Sequence, residues 1–251
     1  MDWRFALWTV LSLMPLLWLV RRAHVGLQEL LFLLTGHHMV TIYLFQIILL
    51  PGVVLHEFSH YLSAKLLGVR VRKVSLGPNV RGNDLQMGAV VVDKPDFMRG
   101  LLIGMAPLVM GVIVIVLIGH RIFDVGAVIQ AARASDGGAM LQAVRAAFEV
   151  RDAWIWFYLL FAISNTMLPS EADREYVAPT LILVSAVAGL VVLAGRGPEL
   201  TANLAEPMET ALSLLLVAFG ITLFVDAIFV GVIELLKGIV SAVTGRRLER
   251  G

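Results

Sequence analysis

The chain has 251 residues, 59% of them hydrophobic and 16% charged, and a mean hydropathy of +0.85. That excludes an ordinary water-soluble domain and marks a single integral membrane domain over 1–251. A net charge of +1 offers no surface for nucleic acid, and the absence of cysteine leaves any metal to His, Asp or Glu.

A spanning helix needs about 20 apolar residues. The first run, "FALWTVLSLMPLLWLV" at 5–20, is closed by Arg21 and Arg22. The basic pair follows the run and no small-residue cleavage site appears, so it is expected to be a retained helix rather than a cleaved signal. Residues 26–35 are too short to span and are expected at the interface or packed inside. A second span runs from His38 to Leu67 with Pro51 at its middle, where a kink is expected.

Residues 68–98 change character. "GVRVRKVSLGP" alternates Val with Arg, Lys or Ser, and "MGAVVVDKP" is a short β-branched run before a turn signal. Two short strands around a Gly/Asn loop are expected. Apolar helices follow at about 99–119, 153–168, 176–195 and 210–236. Between the first two of these, residues 120–151 read as two amphipathic pieces joined at Asp136-Gly-Gly, expected to cap the extracytoplasmic face. Residues 237–251 read as a basic tail. The expected fold class is therefore an all-α polytopic membrane protein of about six transmembrane helices with a membrane-associated strand segment.

Six spans bring both termini to one face. The face holding the N-terminus, 68–98, Arg174 and the tail carries 13 of the 20 Lys and Arg residues, counting Lys65 and Arg99 at the helix ends, so it is expected to be cytoplasmic. Arg21 and Arg22 alone point the other way.

The chemistry sits in "VVLHEFSHYL", residues 53–62. His56 and His60 are four apart, so on a helix both imidazoles lie on one face and can reach one ion. Glu57 is offset by about 100° and flanks that ion as a base for water. This is the H-E-x-x-H pattern. Imidazole ligands, with no carboxylate cage, favour one Zn2+ per chain over magnesium or calcium. Three ionisable groups on successive turns of an apolar helix need a common partner, because a lone charge at the bilayer centre costs about 3 kcal/mol or more.

A catalytic zinc usually takes three protein ligands. In "SNTMLPSEADRE", residues 164–175, an apolar helix gives way to an irregular turn able to return a carboxylate toward the membrane, which makes Asp173 the first candidate. Asp226, mid-span in "LFVDAIFV", is the rival, with bonding to a neighbouring helix or to substrate as its other possible role.

The run of H-E-F-S-H in an apolar helix, a strand-rich segment with "LGPN", then "GMAPLVMG" and "SNTMLPSEAD" resembles the site-2 protease family of intramembrane zinc metalloproteases, over about residues 40–175. That family carries its third ligand in an Asn-Leu-Leu-Pro…Leu-Asp-Gly motif, whose Asn-to-Asp interval matches Asn165 to Asp173. Here the proline falls one place later, at Pro169, Arg174 stands where glycine is usual, and no PDZ-like insertion is seen, as in a divergent, minimal branch. The resemblance implies that His56, His60 and Asp173 are ligands and Glu57 the catalytic base. It implies that Asn165 lies near the substrate or intermediate, and that strands about 70–76 and 88–93, with Val71, Val74, Val90 and Val91, pair with an unwound substrate. The expected substrate is a transmembrane protein or peptide cut near the cytoplasmic side of the bilayer, in a prokaryotic cell membrane. The oligomeric state is left open.

Two non-hydrolytic readings stand beside this one. One is a zinc-binding membrane scaffold or transporter, and the other a pseudoprotease that recognises membrane segments without cutting them. The strand segment has its own second reading, a basic hairpin touching anionic headgroups through Arg70, Arg72 and Lys73.

Overall fold

The computed structural model describes residues 3–81, 84–170, 173–193, 195 and 197–245. Among the described residues, eight helices and four short strands follow in order: α1 (Trp3–Thr35), α2 (His38–Leu66), β1 (Val71–Ser75), β2 (Asn79–Arg81), β3 (Asp84–Gln86), β4 (Ala89–Val92), α3 (Phe97–Arg121), α4 (Val125–Arg133), α5 (Gly137–Glu149), α6 (Ala153–Ser164), α7 (Val177–Leu193) and α8 (Gly197–Thr244).

Among the described residues, four stretches are long and apolar enough to cross a membrane: Leu7–Thr35, His38–Leu66, Phe97–Arg121 and Asn203–Thr244. The expected count of six is not reached. With 12 residues, α6 extends about 18 Å, and with 17 residues α7 extends about 26 Å. Both fall short of a hydrocarbon core about 30 Å thick. α2 runs unbroken through Pro51, and near that proline Ile48 O accepts a hydrogen bond from the Tyr158 hydroxyl at 2.9 Å.

Residues 26–35, expected as a separate piece, continue α1 without a break. The reason lies on α8. Arg22 Nη2 is 2.9 Å from Glu234 Oε1, and Lys237 Nζ is 2.6 Å from Glu29 Oε2 and 3.0 Å from Glu234 Oε1. These pairs neutralise the charges that make 21–29 look like the end of a span, and Gly26, facing Ile233, lets the two helices approach. Lys237 thus belongs to α8 and to this network instead of opening a tail, while 246–251 lie outside the described residues. With 48 residues α8 is about 72 Å long, more than twice the hydrocarbon thickness.

The same contacts fix a direction. Thr9 meets Leu212 and Glu29 meets Lys237, so α1 and α8 run parallel, with Trp3 and Thr244 at opposite ends of the pair. A shared face for both termini rests on six alternating spans and does not follow from this arrangement.

The strand segment is more elaborate than one hairpin. β1 pairs antiparallel with β4, Val74 opposite Val90 and Ser75 opposite Ala89, with a bulge between Val71 and Lys73. A second hairpin, β2 with β3, is inserted between them. Val71 and Val92 pack on Ala64, Val69 and Ile103, anchoring the outer hairpin to α2 and α3. Arg72 and Asp93 form an ion pair across it. The amphipathic pieces appear as expected as α4 and α5, with Asp136 capping α5 by accepting from Ala139 N at 3.0 Å.

Lipid is as apolar as leucine, so helix association in the bilayer depends on close packing at small residues. A Cβ on Gly52 of α2 would collide with Ala162 O and Thr166 Oγ1, whereas Gly220 of α8 faces open space. Gly52→Ala is therefore expected to lower the thermal midpoint in detergent, costing about 1–3 kcal/mol through overpacking. Gly220→Ala should be neutral or slightly stabilising. Equal midpoints for the two variants would show that the α2–α6 contact is looser than described.

Candidate metal centre

The site begins with the α2–α6 contact. Because Gly52 has no side chain, the last turn of α6 lies against α2, one turn before His56. A helix leaves its final carbonyls unpaired. Here two carbonyls of the turn that closes α6 each take a histidine N–H: Asn165 O from His24 Nε2 at 3.0 Å, and Thr166 O from His56 Nδ1 at 2.6 Å. His60 Nδ1 donates likewise to Ile103 O of α3, at 2.8 Å.

These bonds set the chemistry of both rings. A carbonyl only accepts, so each Nδ1 carries the hydrogen; in the neutral ring Nε2 then keeps its lone pair, and in the protonated ring Nε2 donates to Asp173 instead. The two Nε2 atoms lie 3.1 Å apart, with the rings at 77°. Asp173 completes the group, its Oδ1 3.1 Å from His60 Nε2 and its Oδ2 3.6 Å from His56 Nε2. One ligand atom from each of the three residues lies within 4.8 Å of the others. Two imidazole lone pairs and a carboxylate facing one point form a set that can hold a metal ion, and Nδ1–H bonded to a carbonyl is the usual outer support of a histidine ligand. The carbonyl end of α6 adds partial negative charge beside it, which further favours a cation.

Asp173 reaches this point along a groove. Gly100, Gly104 and Gly111 share one face of α3, and the chain after α6 lies lengthwise on it: Met167 over Gly111, the Asp173 carbonyl over Gly104, and the Tyr176 ring over Gly100. A Cβ at Gly111 would sit 2.6 Å from Met167 Cβ, and one at Gly100 2.6 Å from the Tyr176 ring. Within the turn, Asp173 Oδ2 accepts from Ser170 N at 2.7 Å. Burial pushes the Asp173 carboxyl up, but hydrogen bonds from His56 and His60, the His60 charge and the Ser170 N–H outweigh it and hold the carboxyl well below its ordinary range. This turn therefore favours the ionised form of the carboxylate, the form able to act as a ligand.

Glu57 lies on α2 next to His56, only 6% exposed, and its electrostatic neighbours are His56, His60 and Asp173. Gly88 covers it: a Cβ there would come within 2.6 Å of Glu57 Oε1. Glu57 Oε2 has no hydrogen-bond partner among the described residues. The cover is held by Gln46, on the same face of α2 three turns earlier, whose Nε2 donates to Leu76 O at 2.9 Å and Met87 O at 2.7 Å. Those two carbonyls flank the inner β2–β3 hairpin, so one buried amide ties both of its ends to the helix.

The other expected site residues are placed as follows. Asn165 is 4% exposed, and its amide N–H2 goes to Phe161 O at 2.9 Å and Asp226 Oδ1 at 3.0 Å, toward α8. Asp226 is fully buried and takes Ser164 Oγ at 3.0 Å as well. It bonds α6 and stands outside the His56–His60–Asp173 group. Val74 and Val91 are half exposed on the outer hairpin, Val90 is partly covered, and Val71 packs inward.

Sequence reasoning missed His24, Gln46 and Gly88. The glycine spacing along α3 was readable in "GMAPLVMG", but nothing in it named the chain segment that would lie there.

Comparison of the chain with protein-family models, with curated proteins and with solved structures finds no significant match.

Elemental analysis of purified protein tests the group directly. His60→Ala or Asp173→Ala should lose the ion that the wild type retains, and Gly104→Val should weaken retention without touching a ligand, because it displaces the Asp173 backbone. Full metal content in Asp173→Ala would remove that carboxylate from the site.

Proposed function

We propose that the chain is an intramembrane zinc metalloprotease that hydrolyses peptide bonds of transmembrane substrates. The observation that carries this reading is the pairing of a three-residue set able to ligate a metal with a buried carboxylate beside it, Glu57, whose Oε2 has no hydrogen-bond partner among the described residues. A binding site alone has no use for that fourth group. The ligand set of two histidines and one aspartate leaves a fourth position, as catalytic zinc sites do and structural ones do not.

Each residue has a task. His56, His60 and Asp173 would hold the ion, and the carbonyls of Thr166 and Ile103 orient the two rings. When bound, zinc lowers the pKa of water to about 7 and polarises a carbonyl. Glu57 takes the proton from the attacking water and passes it to the leaving amine. Desolvation beneath Gly88 keeps that proton from bulk solvent.

A helical substrate hides its peptide bonds, so it must be extended before it is cut. The outer hairpin of β1 and β4 is two-stranded and presents free edges next to α2, where an extended chain can add by main-chain bonds. Val74 and Val91 supply exposed apolar contacts there. The resemblance to site-2 proteases supports the same assignment through the His56–Glu57–His60 and Asn165–Asp173 spacings.

Glu57→Gln separates this reading from a zinc-binding scaffold, a transporter or a pseudoprotease. It should retain zinc while losing about 10²- to 10⁴-fold in cleavage of a transmembrane reporter, the usual weight of a general base. Chelation should abolish wild-type cleavage and zinc restore it. Undiminished cleavage by Glu57→Gln would take the base role from this residue, and a zinc-loaded wild type inert toward every reporter would favour the scaffold.

A further inference from the structure

Asp226 is a fully buried carboxylate in a spanning helix, and no cation among the described residues pairs with it. Such a group is costly to keep there. Its Oδ1 accepts from Ser164 Oγ and from Asn165 Nδ2, both at 3.0 Å, at the point where α6 ends. The Phe161 and Phe229 rings, stacked at 4.3 Å and 16°, set the register of α8 against α6 one turn away. The next carbonyl along the chain, Thr166 O, is the one that holds His56 Nδ1.

We propose that Asp226 is a positioning residue for the metal centre: by clamping Ser164 and Asn165 from α8, it aims the Thr166 carbonyl at His56 and so fixes the ring that presents Nε2 to the ion. This rests on the reading of His56, His60 and Asp173 as a zinc site. Asp226 touches neither substrate nor ion and acts through two residues of backbone. Partners of this outer kind typically change metal affinity 10- to 100-fold when removed.

Two orphaned atoms give the proposal a specific signature. Asp226 Oδ2 and Asn165 Oδ1 are both buried and, among the described residues, without a hydrogen-bond partner. In Asp226→Asn the amide oxygen is able to accept from the same two donors, Ser164 Oγ and Asn165 Nδ2. The clamp therefore survives in the amide variant and disappears in Asp226→Ala.

The test is zinc affinity by chelator competition on the full-length protein in detergent, a readout independent of cleavage. Asp226→Ala is expected to bind zinc 10- to 100-fold more weakly, and Asp226→Asn to stay close to the wild type. Asn165→Ala should lose the same factor as Asp226→Ala, and the double variant no more than either, because both interrupt one path. Where Asp226→Ala does not fold, Asn165→Ala against Asp226→Asn carries the comparison.

Wild-type affinity in Asp226→Ala, with a lowered thermal midpoint, overturns the proposal and leaves Asp226 as a link between helices. Equal losses in Asp226→Asn and Asp226→Ala also overturn it, since that result requires a negative charge or a direct ligand. A wild-type protein that takes up no zinc overturns both this inference and the protease reading.

Discussion

Two imidazole Nε2 atoms and an ionised carboxylate, directed at one another across 3 to 4 Å, repel unless a proton or a metal cation lies among them. In an apolar interior little solvent is present to screen that repulsion. Each ring is prevented from turning away by a backbone carbonyl on its far nitrogen, from α6 in one case and α3 in the other. Much of the architecture around α2 follows from holding these three groups together.

The end of α6 is where that constraint meets the bilayer. Irregular backbone at membrane depth is tolerated only where protein covers it and satisfies its polar groups. α6 stops after 12 residues, and three other helices supply what its last turn lacks: His24 from α1, His56 from α2 and Asp226 from α8. The following chain then lies in the glycine groove of α3, where small residues let backbone approach backbone. A helix too short to span thus becomes the support for the carboxylate that completes the His56–His60–Asp173 group.

Access to Glu57 is governed from the other side. The chain before β4 sits on its carboxylate at Gly88, and Gln46 holds both ends of the inner hairpin. The same strand segment that offers a free edge also roofs the candidate base.

The residues by themselves determined the membrane class, the strand segment, the amphipathic pair at 120–151 and the placing of His56, Glu57 and His60 on adjacent faces of one helix. These are local matters of apolar length, alternation and helical spacing. Asp173 was named beside Asp226 from sequence, and only the packed chain separated them, because the choice depends on which carboxylate the groove of α3 brings within reach of α2. The count of six spans is not confirmed, because α6 and α7 read as full spans yet their described helices are shorter than the hydrocarbon. The length of α1 was hidden for the same kind of reason: Arg21 and Arg22 read as its end until Glu234 of α8 pairs with Arg22. The roles of Thr166 and Ile103 carry no side-chain signature at all, since a carbonyl is common to every residue and only tertiary contact gives one of them a histidine to hold.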